Sequence, residues 1–304
     1  MFRIAQSRTA FALAATCFVV LALPASASSA AGERRPADAT GSTELERAHA
    51  HNDYEHDRPL YDALGNGFKS VEADVWLVDG ELLVAHDRED VRDGRTLESL
   101  YLAPLRELVK RGGGSVYPGD PDPFTLLIDI KSDAVETYLA LHRELRRHQQ
   151  ILTRFTPGGV NSGAVTAIVS GNRPRQLMEQ QQVRYAAYDG RLSDLGTSTD
   201  PALVPLISDN WTRHFTWQGI GPMPEAERAK LSAIVATAHA NGQRVRFWAT
   251  PEVAPQREAV WQELLAAQVD YINTDHLGAL REFLLSQDPQ PTQPHVSWGS
   301  STAG

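Results

Sequence analysis

The chain contains very little cysteine and no apolar run long enough to span a membrane. Its 304 residues include a single cysteine, Cys17, which lies inside the N-terminal apolar segment Phe11–Leu23. Two arginines, Arg3 and Arg8, precede this segment and small residues ending at Ala27 follow it, which is the pattern of a secretory signal peptide cleaved after Ala27. The segment is shorter than the roughly 20 residues of a spanning helix, which argues against a membrane anchor.

After cleavage the mature chain would contain no cysteine. This excludes disulfide bonds, a thiol nucleophile and a thiolate zinc site. We expect a secreted, extracellular protein in which residues 1–27 are the signal peptide and residues 28–44 form a flexible leader. Residues 45–286 would form one folded domain, and the polar segment 287–304 a loose C-terminal tail.

Clusters of basic residues are also missing. The formal net charge is -9, and loss of the two signal-peptide arginines without any acid would make it -11. Such an acidic chain is a poor partner for nucleic acid and has no polybasic patch for a membrane, which leaves at most a transient contact with a membrane surface. A local cation could still admit one phosphate group. The sequence leaves the oligomeric state open.

What the sequence does contain is a regular alternation of strand-like and helix-like segments. This alternation predicts a parallel sheet. Eight strand candidates in one domain fit a single TIM (β/α)8 barrel, whereas the glycine-rich phosphate loop of a Rossmann fold does not follow the first strand. The predicted strands are Ala48–His51, Ser70–Leu77, Phe124–Lys131, Ala164–Ser170, Val183–Tyr188, Leu203–Asp209, Arg244–Thr250 and Val269–Thr274.

Polar residues close nearly every predicted strand. Catalytic groups of TIM barrels lie at the C-terminal ends of the strands, so this pattern predicts a site at the barrel mouth. Strand-end polarity is also ordinary turn chemistry, so no single residue identifies the site by itself. The residues concerned are His51, Glu72, Asp74, Asp129, Lys131, Ser170, Asn172, Asp189, Asp209, Asn210, Trp248, Asn273 and Asp275.

Glu72 and Asp74 form a Glu-x-Asp pair on the second predicted strand. Side chains two residues apart on a strand share a face, and adjacent carboxylates repel each other unless a cation or a proton lies between them. Oxygen ligands suit a hard cation such as Mg²⁺ or Ca²⁺. His51 and His86 flank the pair in sequence, and two histidines beside a cation suit acid–base chemistry on a phosphate.

Asp129 and Lys131 interrupt the apolar run of the third predicted strand. A fully buried strand tolerates such charges poorly. Asp129 could be a third cation ligand and Lys131 a phosphate contact, or the two could form a structural ion pair at the barrel rim. The neighbouring Glu72-x-Asp74 pair favours the functional interpretation.

These motifs, in this order, resemble the phosphatidylinositol phospholipase C-like phosphodiesterase superfamily, which includes glycerophosphodiester phosphodiesterases and sphingomyelinase D-like enzymes. The matching segments are HNDY at 51–54, EADVWL at 72–77, AHD at 85–87, DIK at 129–131 and the late Trp248. The resemblance implies a TIM barrel with His51 and His86 as the acid–base pair. It also implies Glu72, Asp74 and Asp129 as ligands of one Mg²⁺ or Ca²⁺, Lys131 as a phosphate contact and Trp248 in the substrate pocket.

The sequence departs from that family, and two of the departures concern site residues. Asn52-Asp53 follows the first histidine, where glycerophosphodiester phosphodiesterases usually carry Arg-Gly, so Asn52 would replace only part of a phosphate contact. The third acid is Asp129 rather than Glu, which is similar to the sphingomyelinase D-like pattern.

The sequence thus predicts a secreted, divalent-metal-dependent phosphodiesterase that cleaves a glycerophosphodiester or a phospholipid headgroup. One alternative is a phospholipase C- or sphingomyelinase D-like lyase that forms a cyclic phosphate. Another is a barrel that binds a metal and a phosphorylated ligand without turnover.

Overall fold

Eight parallel strands close into a barrel in the computed structural model, which describes residues 42–298. The predicted signal peptide and most of the predicted leader lie outside the described residues. The strands are β1 (Leu45–Ala50), β2 (Phe68–Val78), β3 (Glu81–Val84), β4 (Phe124–Ile130), β5 (Arg154–Thr156), β6 (Gly159–Asn161), β7 (Val165–Gly171), β8 (Ala186–Gly190), β9 (Leu206–Asn210), β10 (Arg244–Trp248) and β11 (Tyr271–Thr274).

The order of the barrel strands is β1-β11-β10-β9-β8-β7-β4-β2, and pairing of β2 with β1 closes the ring. The predicted TIM barrel is therefore confirmed. Helices cover its outside: α1 (Tyr61–Gly65), α2 (Ala103–Arg111), α3 (Ala134–Arg147), α4 (Arg175–Gln180), α5 (Trp211–His214), α6 (Glu225–Ala240), α7 (Gln256–Ala266) and α8 (Leu277–Gln287). Among residues 42–298, no helix is both long and apolar enough to cross a bilayer.

Alternation along β2 separates the core from the barrel interior. Val71, Ala73 and Val75 are buried in the main hydrophobic core. Because successive side chains on a strand point to opposite faces, Glu72 and Asp74 must point the other way, into the barrel. The near-continuous burial of β2 follows from apolar contacts on one face and polar contacts on the other.

Several strands differ from the predicted ones. β3 pairs antiparallel with β2 outside the closed ring, and β5 and β6 form a small hairpin; neither was predicted, because both are short. β8 begins at Ala186 rather than Val183 because Arg184 pairs with Phe155 of that hairpin instead. β9 begins after Pro205, which has no amide hydrogen to donate to a ladder.

The segment that was predicted to be a loose tail is in contact with the barrel within residues 288–298. Two buried arginines that project from barrel strands bind the backbone of this segment: Arg47 donates to the carbonyls of Gln290 and Gln293, and Arg244 donates to that of Val296. Arg47 also pairs with Asp288 at 2.6 Å. The polar, proline-containing composition excluded a helix or strand but gave no sign of these anchors.

Candidate active site

Three carboxylates converge near the C-terminal end of the segment over which β2 pairs with β4. Asp74 and Asp129 are register partners on these adjacent strands. Glu72, Asp74 and Asp129 each contribute one carboxylate oxygen, and these three oxygens lie within 4.8 Å of one another. Since the parallel register fixes both strand ends at the same height, this cluster is a direct product of the barrel topology.

Gly171 makes room for the third carboxylate. It is the last residue of β7 and has φ +67°, and a Cβ added there would lie 2.3 Å from Asp129 Oδ1. Glycine tolerates both this backbone conformation and this close approach. The local sequence therefore leaves space for a carboxylate at the strand end.

The two oxygens of Asp74 have different surroundings. Its Oδ2 accepts hydrogen bonds from Tyr54 Oη at 2.6 Å and from His86 Nδ1 at 3.0 Å, and it lies 3.0 Å from Lys131 Nζ. Its Oδ1 is buried and has no hydrogen-bond partner among the described residues. A buried carboxylate oxygen without a partner is costly, and a cation bound by the cluster would provide one. The all-oxygen donor set suits Mg²⁺ or Ca²⁺.

The electrostatics of the cluster also fit a cation. Burial, and then the charge of Glu72, raises the pKa of Asp74 to about 6. The same two causes raise the pKa of Asp129. Burial alone would raise the pKa of Glu72, but Arg246 holds it well below its usual range. A divalent cation would relieve this repulsion between acids.

Arg246 on β10 reaches across the barrel interior to Glu72. Its Nη2 lies 2.6 Å from Glu72 Oε2, and the guanidinium also donates to Asn273 Oδ1. His49 completes this layer, with Nδ1 2.7 Å from Ser70 Oγ. Glu72 is therefore held as a charged carboxylate in a fixed position.

The two predicted catalytic histidines border the cluster on different sides. His51 Nδ1 lies 2.8 Å from Asp275 Oδ1, and its Nε2 lies 4.0 Å from Glu72 Oε2. Burial alone would lower the pKa of His51, but its contacts with Asp275 and Glu72 raise it above the usual value. His86 is half exposed and turns its Nδ1 towards Asp74. In both rings Nε2 is the nitrogen left for a substrate.

The remaining predicted site residues also lie at the mouth. Lys131 Nζ bridges Asp74 Oδ2 and Asp129 Oδ1, at 3.0 and 3.1 Å. Asn52, in the left-handed region at φ 46°, accepts a hydrogen bond from Tyr54 at 2.9 Å. Lys131 is therefore tied to the carboxylates, and Asn52 contacts the cluster through Tyr54.

Trp248 stands on the opposite side of the mouth. It stacks against the Arg191 guanidinium, 4.8 Å from the ring centroid. Arg191 is fixed in turn by a 2.7 Å bond to the fully buried Asp189, which also accepts from Ser170 and Ser208. An aromatic ring and a cation thus line this wall.

Two other acidic clusters lie among the described residues, and neither has the same character. In the cluster of Glu46, Asp120 and Asp122 a cation is already present, because the Lys69 ammonium group pairs with the carboxylates of Glu46 and Asp120 and donates to the Asp122 backbone carbonyl. Glu98, Glu144 and His148 lie on α3 and the turn before α2, outside the barrel. Only the Glu72 cluster combines strand ends, flanking histidines and a buried oxygen without a partner.

Sequence reasoning did not single out Tyr54, Arg246 or Asp275 as site residues. Tyr54 lies in a 3-10 turn, Asp53–Glu55, whose contact with β2 no local pattern reveals. Arg246 lies in an apolar strand segment, and its inward-facing charge was the only feature of the sequence that could have marked it as a site residue. Asp275 was noted as a strand-end residue but not as the partner of His51.

Comparison with known proteins identifies the family of the chain. The sequence model of the AIM6-like phosphodiesterase domain matches residues 38–189, half of the chain, and that of the glycerophosphoryl diester phosphodiesterase family matches residues 244–278. The first range contains both histidines, the three carboxylates and Lys131; the second contains Arg246 and Trp248. The predicted resemblance to the superfamily is confirmed.

The chain is also similar to fungal proteins along most of its length. It is 29% identical over 283 residues to altered inheritance of mitochondria protein 6 of Eremothecium gossypii, covering 79% of this chain and 69% of that protein. It is 27% identical over 280 residues to a homolog from Arthroderma benhamiae, covering 82% and 87% respectively. These names state no reaction.

Among solved structures, the chain resembles a Ca²⁺-dependent phosphatidylinositol-specific phospholipase C from Streptomyces antibioticus. The TM-score is 0.50 at 13% identity, covering 81% of this chain and 96% of that one. At this identity the likeness concerns the barrel fold alone.

Proposed function

The chain belongs to the AIM6-like phosphodiesterase domain family, and from that premise we propose that it is a secreted, divalent-cation-dependent phosphodiesterase. The proposed substrate is a small glycerophosphodiester or a phospholipid headgroup. Export is supported by the signal-peptide pattern before Ala27.

The observation that carries the proposal is the difference between the surroundings of the two carboxylate oxygens of Asp74. One oxygen anchors His86, Tyr54 and Lys131, while the other is buried without a hydrogen-bond partner among residues 42–298. Other buried carboxylates, such as Asp270, also have one oxygen without a partner, but Asp74 belongs to a cluster of three acids that is bordered by two histidines. Together with Glu72 and Asp129 it would hold one Mg²⁺ or Ca²⁺, which would supply charge neutralisation on the phosphate.

The histidines have the surroundings needed for opposite proton transfers. Asp275 on Nδ1 of His51 orients that ring and stabilises the imidazolium that forms when Nε2 takes a proton from the attacking hydroxyl. As the new P–O bond forms and the old one breaks, His86 Nε2 would give a proton to the departing alcohol. Lys131 would contact the anionic phosphate oxygens.

The attacking hydroxyl defines the second candidate reaction. Water would give an open phosphomonoester, whereas a substrate hydroxyl next to the phosphate would give a cyclic phosphate. The open mouth and the pairing of a base with a separate acid serve either route.

Phosphorus NMR of the purified mature protein tests the proposal. The substrates are glycerophosphocholine, glycerophosphoinositol, lysophosphatidylcholine and sphingomyelin, each with Mg²⁺, Ca²⁺ or a chelator. We expect a chelator-sensitive product resonance whose chemical shift separates cyclic from open phosphate. We expect His51→Ala and His86→Ala each to lose about 10²- to 10⁴-fold in turnover.

His142→Ala is the matched control, because His142 lies on α3 away from the mouth. Wild-type turnover in both His51→Ala and His86→Ala would contradict the proposal. Tight binding of a diester without product would instead support the non-catalytic binding barrel.

A further inference from the structure

A second cavity adjoins the carboxylate cluster on the far side of His86. This cavity, the His86 pocket, has a volume of about 380 Å³ and is lined chiefly by Tyr54, Glu55, His86, Asp90, Arg92 and Arg95. The 3-10 turn Asp53–Glu55 forms one wall, and the loop between β3 and α2 forms the other. None of the three candidate cation ligands lines it.

His86 connects the pocket to the chemistry. Its Nδ1 faces Asp74 and Tyr54, at 3.0 and 3.2 Å, so the opposite edge of the ring carries the free Nε2. Because His86 also lines the pocket, we place the group that receives a proton from Nε2 on the pocket side of the ring. In the proposed reaction, that group is the departing alcohol.

The walls of the pocket are polar. Val84 and Ala85 are its only aliphatic members, and both are nearly fully buried within the wall. The other lining groups are three carboxylates, two guanidinium groups, two imidazoles and one phenol. Acyl chains placed here would strip water from charged groups without replacing their hydrogen bonds, which is unfavourable.

The two arginines of the pocket differ in whether their side chains already form hydrogen bonds within the protein. Arg95 Nη2 donates to the Tyr54 carbonyl at 2.6 Å, which holds the 3-10 turn Asp53–Glu55 against the pocket wall. Arg92 is exposed and forms no ion pair or side-chain hydrogen bond within residues 42–298. Its donors therefore remain available to a ligand.

We propose that the His86 pocket binds the departing alcohol, and that this alcohol is a small polar group, a polyol or an amino alcohol, rather than diacylglycerol. The volume corresponds to about a dozen water molecules at roughly 30 Å³ each, which suits a headgroup and not two acyl chains. Arg92 and the facing carboxylates supply hydrogen bonds to hydroxyl or ammonium groups. This inference rests on the proposed phosphodiesterase function and narrows its substrate class.

The test compares two substrates that differ only in acylation. The wild-type protein, with Mg²⁺ or Ca²⁺, is given glycerophosphoinositol or phosphatidylinositol in mixed micelles, and glycerophosphocholine is added as the amino-alcohol arm. We expect kcat/KM to favour a deacylated diester by at least about tenfold, the weight of one charge-assisted hydrogen bond. Equal or better release of diacylglycerol would overturn the proposal.

A charge-reversal pair examines the pocket itself. Arg92→Glu changes a lining residue, whereas Arg88→Glu makes the same change at an exposed residue outside the lining. We expect Arg92→Glu to change KM for the deacylated diesters by about tenfold with kcat preserved, and Arg88→Glu to leave both constants unchanged. The same behaviour in both variants would refute the assignment of the pocket.

A binding measurement separates this inference from the proposed function. The ring resonance of His86, assigned with His86→Ala, is followed by NMR during titration with glycerophosphoinositol or glycerophosphocholine in chelator. A shift that is weakened by Arg92→Glu but not by Arg88→Glu, together with no turnover in the separate assays that contain Mg²⁺ or Ca²⁺, would refute the enzyme and retain the pocket. Turnover with the same shift in both arginine variants would retain the enzyme and refute the pocket. Absence of both the turnover and the difference in shift would refute both proposals.

Discussion

Tyr54 is the residue through which the loop after β1 contacts the reactive groups. Its hydroxyl lies 2.9 Å from Asn52 Oδ1, 2.6 Å from Asp74 Oδ2 and 3.2 Å from His86 Nδ1. Tyr54→Phe would remove these contacts while preserving the ring that fills the buried space. The variant therefore measures how much the proposed catalysis depends on the orientation of Asp74 and His86.

The expected effect follows from the shortest of these bonds. A hydrogen bond to a charged group contributes about 1.5–3 kcal/mol, and Asp74 is fixed in the barrel by strand register. If the whole contribution is felt in the transition state, kcat/KM should fall by about 10- to 150-fold. Most of the loss should appear in kcat, because Tyr54 holds the acid rather than the substrate.

The assay is steady-state cleavage of the best diester found, with the thermal unfolding midpoint measured in parallel. Tyr61→Phe is the matched control, because its hydroxyl forms no hydrogen bond among the described residues. The reasoning is refuted if Tyr54→Phe turns over substrate as fast as Tyr61→Phe and the wild type. A fall in activity that is matched by a large loss of stability would also contradict a positioning role.

Three further substitutions test the fold around the site. Gly171→Ala should lower stability and cation affinity more than Gly80→Ala, since both residues have positive φ but only Gly171 has a carboxylate in the way; equal calorimetric losses would contradict this. Burial raises the pKa of Asp53 to about 7. The contribution of Asp53 to the free energy of unfolding is therefore fully present below the pKa of the unfolded chain, near 4, and is lost as pH rises through about 7. The total loss is up to about 4 kcal/mol. Asp53→Asn should therefore gain stability relative to the wild type between about pH 5 and about pH 8 in urea unfolding, and a pH-independent difference would count against it. Arg47→Leu leaves Asp288 buried without its partner and should cost about 3–5 kcal/mol, so an unchanged urea midpoint would show that the tail is not anchored by this pair.

The site residues that the sequence predicted are mainly those that lie on strands. Glu72-x-Asp74 and Asp129 lie where strand periodicity and the barrel rule place them, because inward-facing positions at strand ends can be counted along the chain. His51 and His86 were located by their closeness in sequence to those strands. Local spacing was enough for these residues.

The parts that the sequence did not predict depend on contacts between distant segments. Tyr54 reaches Asp74 only because the turn after β1 folds over the end of β2, and Arg246 reaches Glu72 only across a closed barrel. The tail is held by arginines that read as ordinary strand residues. Periodicity says which face a side chain takes, but it does not say which distant group it will meet.

The ion pair between Arg246 and Glu72 ties completeness of the chain to formation of the site. The two residues are 174 positions apart, and the strands that carry them, β2 and β10, are not neighbours in the sheet. A growing chain that has folded only its first half has every carboxylate of the cluster but lacks the guanidinium that keeps Glu72 ionised. Such a fragment would hold Glu72 without its arginine partner, whereas Lys131 could already pair with Asp74 and Asp129. We therefore expect the carboxylate cluster to have all its counter-charges only after β10 has joined the barrel.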